Sequence, residues 1–342
     1  VARAVAGRLY AHAMHIRELA YARGLIPSWR PPVPCISVGN IRWGGSGKTP
    51  VCSRLLGMFV KWGLRPVLLT RGYRARPPKY PYLVHTDSPV FEAGDEPLML
   101  ARENPQAHVV VDPCRNRGGK WALERMGPDV LILDDGYQHL AVQRDVDLVL
   151  LRPEDFTHDW GRVIPSGPWR EGAKALHRAS AIILHAPPEE AARLEPEIRA
   201  KAPNLPGPFF SCSYQAKGLC RPDGRTALDP DERYILVSAV GSPAGVESTA
   251  GLVLPGAPLE HMRFADHHSF TRADKKRIGQ RADQLGARRI VCTPKDGVKL
   301  EDMDDPRLCI LDVQLDIRGG LDRWLSSRLD LQGADESEPS QG

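Results

Sequence analysis

No Cys-x-x-Cys pair occurs in this 342-residue chain, and its seven cysteines (Cys35, Cys52, Cys114, Cys212, Cys220, Cys292 and Cys309) are odd in number and scattered. That pattern argues against a zinc site and a disulfide framework and suggests a reducing compartment. There is no run of about 18 or more uncharged apolar residues, which argues against a spanning helix. The N-terminal segment shows no signal-peptide core, because Arg and His interrupt it throughout. No internal repeat is visible, and the guanine-reading Asn-Lys-x-Asp is missing, which argues against a GTPase. The net charge is only +4, so bulk charge gives no argument for nucleic acid. That charge is concentrated: residues 1–30 hold Arg3, Arg8, Arg17, Arg23 and Arg30 against Glu18 alone, an excess equal to that of the whole chain.

What is present begins with Gly39-Asn40-Ile41-Arg42-Trp43-Gly44-Gly45-Ser46-Gly47-Lys48-Thr49-Pro50. It follows an apolar run, Val33 to Val38, that reads as a buried strand, and precedes Val51 to Trp62, which reads as a helix. A glycine-rich turn between strand and helix turns backbone N–H groups toward phosphate oxygens, and the helix N-terminus adds partial positive charge. Lys48 would reach the outer phosphates and the Thr49 hydroxyl would sit on Mg²⁺. The strict Gly-x-x-x-x-Gly-Lys-Ser/Thr pattern is broken, since its first glycine falls on Arg42. Gly44, Gly45 and Gly47 still supply permissive backbone.

The length allows two domains of ordinary size. Residues 2–25 read as a helix with Val5, Leu9, Ala13, Ile16 and Ala20 on one face and arginines at its margins. Such a helix either lies in a membrane interface or packs on its own domain. Pro31, Pro32 and Pro34 end it. From Val33 to about Ala202, strands at 33–38, 66–70, 108–112, 129–134, 146–151 and 180–184 alternate with helices at 50–62, 95–104, 116–126 and 187–201. This alternation predicts an α/β fold with a mostly parallel sheet covered on both faces. A boundary is expected at Pro203, Pro206 and Pro208. A second, smaller α/β set follows, with strands near 233–239, 259–264 and 289–293 and helices at 243–253 and 271–286. Pro208–Tyr214 and Leu308–Ile317 bracket it and could pair as a two-stranded connector, sending a final helix, 319–329, back to the first domain. The expected division is therefore 1–30, 31–206, 207–318 and 319–330, with 331–342 disordered.

Asp129 to Asp135 reads as a buried strand ending in two carboxylates, Asp134 and Asp135, at a sheet edge where α/β proteins bind ligands. Beside a phosphate loop such an acid holds Mg²⁺ directly or through water. Asp95-Glu96-Pro97 begins a predicted helix. Either Asp95 is an N-cap, or it takes the proton of an acceptor hydroxyl while Glu96 contributes to the metal. Asp266-His267-His268 is a polarised imidazole, a metal site or a solvated loop. Arg71, Arg74, Arg76, Arg115 and Arg117 follow strands, and Arg162 and Arg170 lie in a Pro- and Gly-rich loop. Any of them suits phosphate recognition by its planar fork.

In this order the motifs resemble the tetraacyldisaccharide 4′-kinase family, the lipid A kinases of Gram-negative bacteria. The resemblance covers most of residues 8–329. It is carried by Val38 to Pro50, Thr70-Arg71-Gly72-Tyr73, Gly94-Asp95-Glu96-Pro97-Leu98, Asp134-Asp135-Gly136-Tyr137-Gln138-His139, Pro165 to Glu171, Asp266-His267-His268 and Lys295-Asp296. It implies a P-loop fold of two α/β/α domains joined by a short β connector, with substrate bound between them. The implied activity is transfer of the ATP γ-phosphate to the 4′-hydroxyl of a tetraacylated glucosamine disaccharide 1-phosphate lipid, with Mg²⁺, at the cytoplasmic face of the inner membrane. By resemblance, Gly44, Gly45, Ser46, Gly47, Lys48, Thr49 and Pro50 hold the nucleotide. Asp95 with His267 activates the acceptor, and Arg170 faces the phosphates. Thr49, Glu96, Asp134 and Asp135 stand on the metal side. A membrane contact for residues 2–25 and a monomeric state are implied, with no nucleic-acid partner. Trp169 stands where leucine is usual and Tyr137 where phenylalanine is. Pro294 replaces the usual Glu before Lys295-Asp296, a site left without a role. His267 is preferred over His268 because it directly follows Asp266. The competing function is a nucleotide switch or ATPase acting on a protein partner, which would use the same phosphate loop and Asp134.

Overall fold

Val130-Leu131-Ile132-Leu133-Asp134 is buried at every position, as is Val146 to Leu151. Continuous apolar runs of this length form strands covered on both faces, which a parallel sheet requires. The computed structural model describes residues 2–44, 47–203, 205, 207–222, 227–228, 231 and 233–331. Gly45, Ser46 and the expected tail after Leu331 lie outside the described residues.

The elements are α1 (Ala2–Ala22), β1 (Cys35–Asn40), α2 (Lys48–Lys61), β2 (Pro66–Thr70), β3 (Tyr82–Val84), α3 (Val90–Ala93), α4 (Asp95–Glu103), β4 (His108–Val111), α5 (Arg115–Met126), β5 (Val130–Asp134), β6 (Val146–Leu151) and α6 (Pro153–Thr157). After a 3₁₀ turn come β7 (Ala181–His185), α7 (Pro188–Lys201), β8 (Phe209–Cys220), β9 (Ala227–Leu228), β10 (Tyr234–Ser238), α8 (Pro243–Ala250), β11 (Glu260–Arg263), α9 (Arg272–Leu285), β12 (Arg289–Cys292), α10 (Pro294–Leu300), β13 (Leu308–Arg318) and α11 (Leu321–Arg328). The strands form one sheet in the order β11, β10, β12, β13, β8, β7, β6, β1, β5, β2, β4, β3, with β9 against β8. Pairing is parallel except for β8 with β13, β3 with β4 and β8 with β9. β3, α3, α6, β9 and α10 had no counterpart in the sequence reading, being too short for periodicity to register.

β1 and β5 run in register from Cys35 opposite Leu131 to Val38 opposite Asp134, so their C-terminal ends open on one edge. Gly39 is obligatory there, because a Cβ would stand 2.5 Å from the Tyr137 Cβ. Only bare backbone lets β1 pass the Asp134–His139 segment this closely. α2 starts at Lys48 rather than Pro50, since Gly47, at φ +83°, turns the chain through the left-handed region into the helix. Pro50 therefore sits in the first turn, where its missing N–H leaves no bond unmade.

β8 and β13 pair antiparallel from Ser211 opposite Arg318 to Cys220 opposite Ile310. After β13 the chain returns as α11, whose Leu321 and Leu325 are buried in one core with Leu55, Phe59, Ile36 and Ile132. Each buried leucine contributes about 2 kcal/mol. The Arg54–Asp322 pair on the same helix is half exposed, and such pairs contribute well under about 1 kcal/mol. Packing, not charge, therefore docks α11.

α1 turns a mixed side to the body, where Tyr10 and Ala11 pack against a core that includes Trp169 and Leu176. Glu18, 7% exposed, meets Arg178 at 3.0 Å and His177 at 3.1 Å, and Arg17 donates to the Gln138 carbonyl. Other apolar side chains face outward, with Val5 50%, Leu9 67% and Ile16 54% exposed.

Candidate active site

The turn before α2 and the end of β5 meet. Lys48 Nζ lies 3.4 Å from Asp135 Oδ1 and donates to Asn40 Oδ1 at 3.3 Å. Arg170, from the loop before the 3₁₀ turn, closes on the other side of Asp135 at 2.9 Å, with its guanidinium over the Trp43 ring. Burial would raise the Asp135 pKa, but Lys48 and Arg170 outweigh it and hold the carboxyl below the usual range. Asp134, one residue earlier, is enclosed in the sheet. Thr70 Oγ1 donates to it at 2.8 Å and Cys52 Sγ lies 3.8 Å away. Burial first, then the charges of Glu96 and Asp135, pushes Asp134 up to about 6. The two carboxylates expected to act alike thus divide: Asp135 turns to the cations Lys48 and Arg170, while Asp134 turns to Thr70 and Cys52.

Thr49 Oγ1, in the first turn of α2, donates to Glu96 Oε2 at 3.0 Å. Asp95 is the first residue of α4 and makes no side-chain cap; its Oδ1 accepts the Glu96 N–H at 3.0 Å and lies 3.1 Å from His267 Nδ1. Its carboxylate instead faces His267, whose Nδ1 stands 3.0 Å from Oδ2. His267 comes from the segment after β11, 172 positions along the chain. Burial raises the Asp95 pKa, and the His267 hydrogen bond together with Lys295 and Lys299 brings it below the ordinary carboxylate range. His268 points elsewhere: its Nε2 meets Asp274 at 3.0 Å and its ring stacks on Phe264. Both Asp135 (φ 49°) and His267 (φ 57°) sit in the left-handed region, a strained setting for non-glycine residues that aims each side chain into the cleft.

Of the other arginines, Arg115 reaches the Asp134 carbonyl and Arg74 donates to the His267 carbonyl. Arg117 is taken up by Asp112, and Arg162 by the carbonyl of Ser166. Sequence reasoning missed Lys295. Its Nζ lies 3.0 Å from Glu96 Oε1 and 3.0 Å from His267 Nε2. Lys299 beside it, 3.7 Å from Asp95, was missed as well. Their only signal was the Lys295-Asp296 motif.

Among the described residues no three His, Cys, Asp or Glu side chains converge as a metal cage. Magnesium at a phosphate loop needs none, because it draws most ligands from phosphate and water. The Thr49 hydroxyl and the Glu96 and Asp134 carboxylates are hard oxygen donors, and the Glu96 charge is felt at the buried Asp134 carboxyl. The residues fit the ion.

A parallel sheet with a glycine turn, Lys and Thr entering a helix, and an acid at the neighbouring strand end define a phosphate-loop nucleotide-binding protein whose site is completed from its second half. The family model described as tetraacyldisaccharide-1-P 4′-kinase matches residues 3–330. The tetraacyldisaccharide 4′-kinase of Nitratidesulfovibrio vulgaris is 46% identical over 310 residues, 90% of this chain and 86% of that one. That of Oleidesulfovibrio alaskensis is 46% identical over 297 residues, 86% and 82% of the two chains. A crystal structure of LpxK from Aquifex aeolicus in complex with ATP superposes with a TM-score of 0.72 at 26% identity, covering 95% of this chain and 96% of that one. The chain belongs to the tetraacyldisaccharide 4′-kinase family.

Proposed function

We propose that the chain transfers the γ-phosphate of ATP to the 4′-hydroxyl of a tetraacylated glucosamine disaccharide 1-phosphate, a step of lipid A biosynthesis. The observation that carries this reading is the contact of His267 with Asp95 beside the phosphate turn, which joins a hydroxyl-activating pair to a nucleotide site. The acceptor oxygen forms its bond to the γ-phosphorus as the bond to the bridging oxygen breaks, and ADP leaves with that electron pair. The acceptor proton goes to Asp95, as it goes to an aspartate in protein kinases. His267 holds Asp95 by donating from Nδ1, a tautomer fixed by the Lys295 ammonium, which can only donate to Nε2. Lys48 and Arg170 offset charge on the phosphate oxygens. Thr49, Glu96 and Asp134 would hold Mg²⁺, which when bound neutralises charge on the β- and γ-oxygens.

The chain works at a membrane surface, at the cytoplasmic face of the inner membrane, as a monomer. The exposed apolar side chains of α1 support the surface contact: Val5, Leu9 and Ile16 would enter the interface, with Arg3 and Arg8 beside anionic headgroups. Among the described residues no helix is long and apolar enough to cross a membrane. The functional units are residues 31–206 and 207–318, with α11 returning to the first; the β8–β13 pairing and the burial of Leu321 and Leu325 support this division.

Labelled γ-phosphate supplied with tetraacylated disaccharide 1-phosphate in mixed micelles should appear on the lipid. ATP hydrolysis at one rate with and without the lipid, and no labelled lipid, would overturn the reading in favour of a nucleotide switch. Sedimentation with anionic vesicles should carry down the protein, and Leu9→Glu with Ile16→Glu should leave it in solution. Equal pelleting of the two would remove α1 from the contact.

A further inference from the structure

Lys295 has been given only the tautomer of His267 to hold. It stands in the first turn of α10, where Thr293 Oγ1 accepts from the Asp296 N–H at 3.1 Å and fixes the helix start. Its ammonium meets Glu96 Oε1 and His267 Nε2, each at 3.0 Å, and Asp266 Oδ1 at 3.4 Å, with its side chain 15% exposed. A cation so far from water is costly unless paired. Its principal partner, Glu96, accepts from Thr49 through its other oxygen. One carboxylate therefore separates a lysine of the second α/β unit from the hydroxyl of the phosphate turn. A purely mechanical latch would be redundant here. Arg102 on Glu301, Arg74 on the His267 carbonyl and Lys299 beside Asp95 already tie the same two regions together.

We propose that Lys295 is a catalytic cation of the transfer, donating from Nζ to an oxygen of the phosphoryl group as it passes between ADP and the acceptor. Glu96 and Asp266 hold the ammonium beside the phosphate turn. An ammonium has three N–H groups, and a phosphoryl oxygen brought to the phosphate turn would take one of them over from these carboxylates while the others keep the side chain in place. Lys295 loses no proton and forms no covalent bond; the electron pair leaves with ADP and the acceptor proton goes to Asp95. Lys48 and Arg170 thus serve the phosphates from one half of the chain and Lys295 from the other, so charge neutralisation is complete only when both halves meet over substrate. This rests on the phosphotransfer reading above.

Lys295→Met keeps the length and removes the charge; Lys295→Arg restores the charge. Calorimetry of Mg·ADP with and without fluoroaluminate, a mimic of the phosphoryl group in flight, requires no lipid. Lys295→Met should bind Mg·ADP within about threefold of wild type yet lose about tenfold or more of the affinity that fluoroaluminate adds. Its kcat for lipid phosphorylation should fall roughly 10²-fold with the KM for ATP little changed, and Lys295→Arg should recover part of both losses. A fluoroaluminate gain missing from wild type or kept by Lys295→Met, or an equal loss of Mg·ADP affinity in both variants, would overturn the proposal. Should wild type leave the lipid unphosphorylated, the kinase reading fails, while the fluoroaluminate comparison still decides on Lys295.

Discussion

Two pairs of adjacent carboxylates line the cleft, and they are built in different ways. Asp134 ends a buried strand and Asp135 follows it, and their partners Lys48, Cys52, Thr70 and Arg170 come from the first 170 residues. Asp95 and Glu96 begin a helix, and the groups that set their chemistry, His267, Lys295 and Lys299, come from after β11. The first pair has these partners within the first 170 residues. The second has the Thr49 hydroxyl on Glu96 from the near half, but acquires its charged partners only when the far half of the chain is folded against it. On the proposed roles, nucleotide binding and hydroxyl activation should therefore be separable by mutation.

The largest effect should come from breaking the second pair. Asp95→Ala should lower turnover roughly 10²- to 10³-fold while leaving Mg·ATP affinity within about threefold. His267→Ala should fall in the same range. Because the two act as a unit, the double variant should be little slower than the slower single one. Multiplicative losses would show that His267 serves the reaction apart from Asp95.

Asp134→Asn sharpens the contrast from the other side. The Asp134 carboxyl, at about 6 in the folded chain, lies above its ordinary value of 3.8. The folded state therefore binds this proton more tightly than the unfolded state. The stability so gained is full below the ordinary value and is lost as pH rises through about 6. Wild type at pH 8 carries that loss; asparagine, which still accepts from Thr70, does not. In magnesium-free buffer Asp134→Asn should be the more stable protein at pH 8, by about 1–3 kcal/mol, with the difference shrinking toward pH 4. Its activity should be severely reduced. Denaturant melts at the two pH values check this, and a variant less stable at pH 8 would mean that the carboxylate is not strained by burial.

The first pair was legible because its evidence is local. Strand, glycine turn and terminal acids lie within short windows, and parallel pairing follows from continuous apolar runs such as Val130 to Leu133. Even there the opposite facing of Asp134 and Asp135 was not readable, since it depends on a left-handed backbone at Asp135. The second pair was legible only as motifs. Nothing in Asp95-Glu96 names a partner 172 positions away, and α10 is too short for periodicity to find. Lys295 was passed over because Pro294 broke the expected motif, although proline at the first turn begins the helix that presents it.

The smallest effect is expected one residue from one of the largest. His268 follows His267 but stacks on Phe264 and meets Asp274, the capping-box acid of α9. Chain direction alone separates the two: the left-handed turn at His267 sends its ring to Asp95 and leaves the next ring on the outer unit. His268→Ala removes two ring contacts, to Phe264 and Phe270, and a half-exposed hydrogen bond, and should cost about 1 kcal/mol of stability. Turnover should stay within about threefold of wild type, because neither Phe264 nor Asp274 reaches the cleft. A loss for His268→Ala as large as that for His267→Ala would mean that the α9 cap, rather than the individual imidazole, positions the second carboxylate pair.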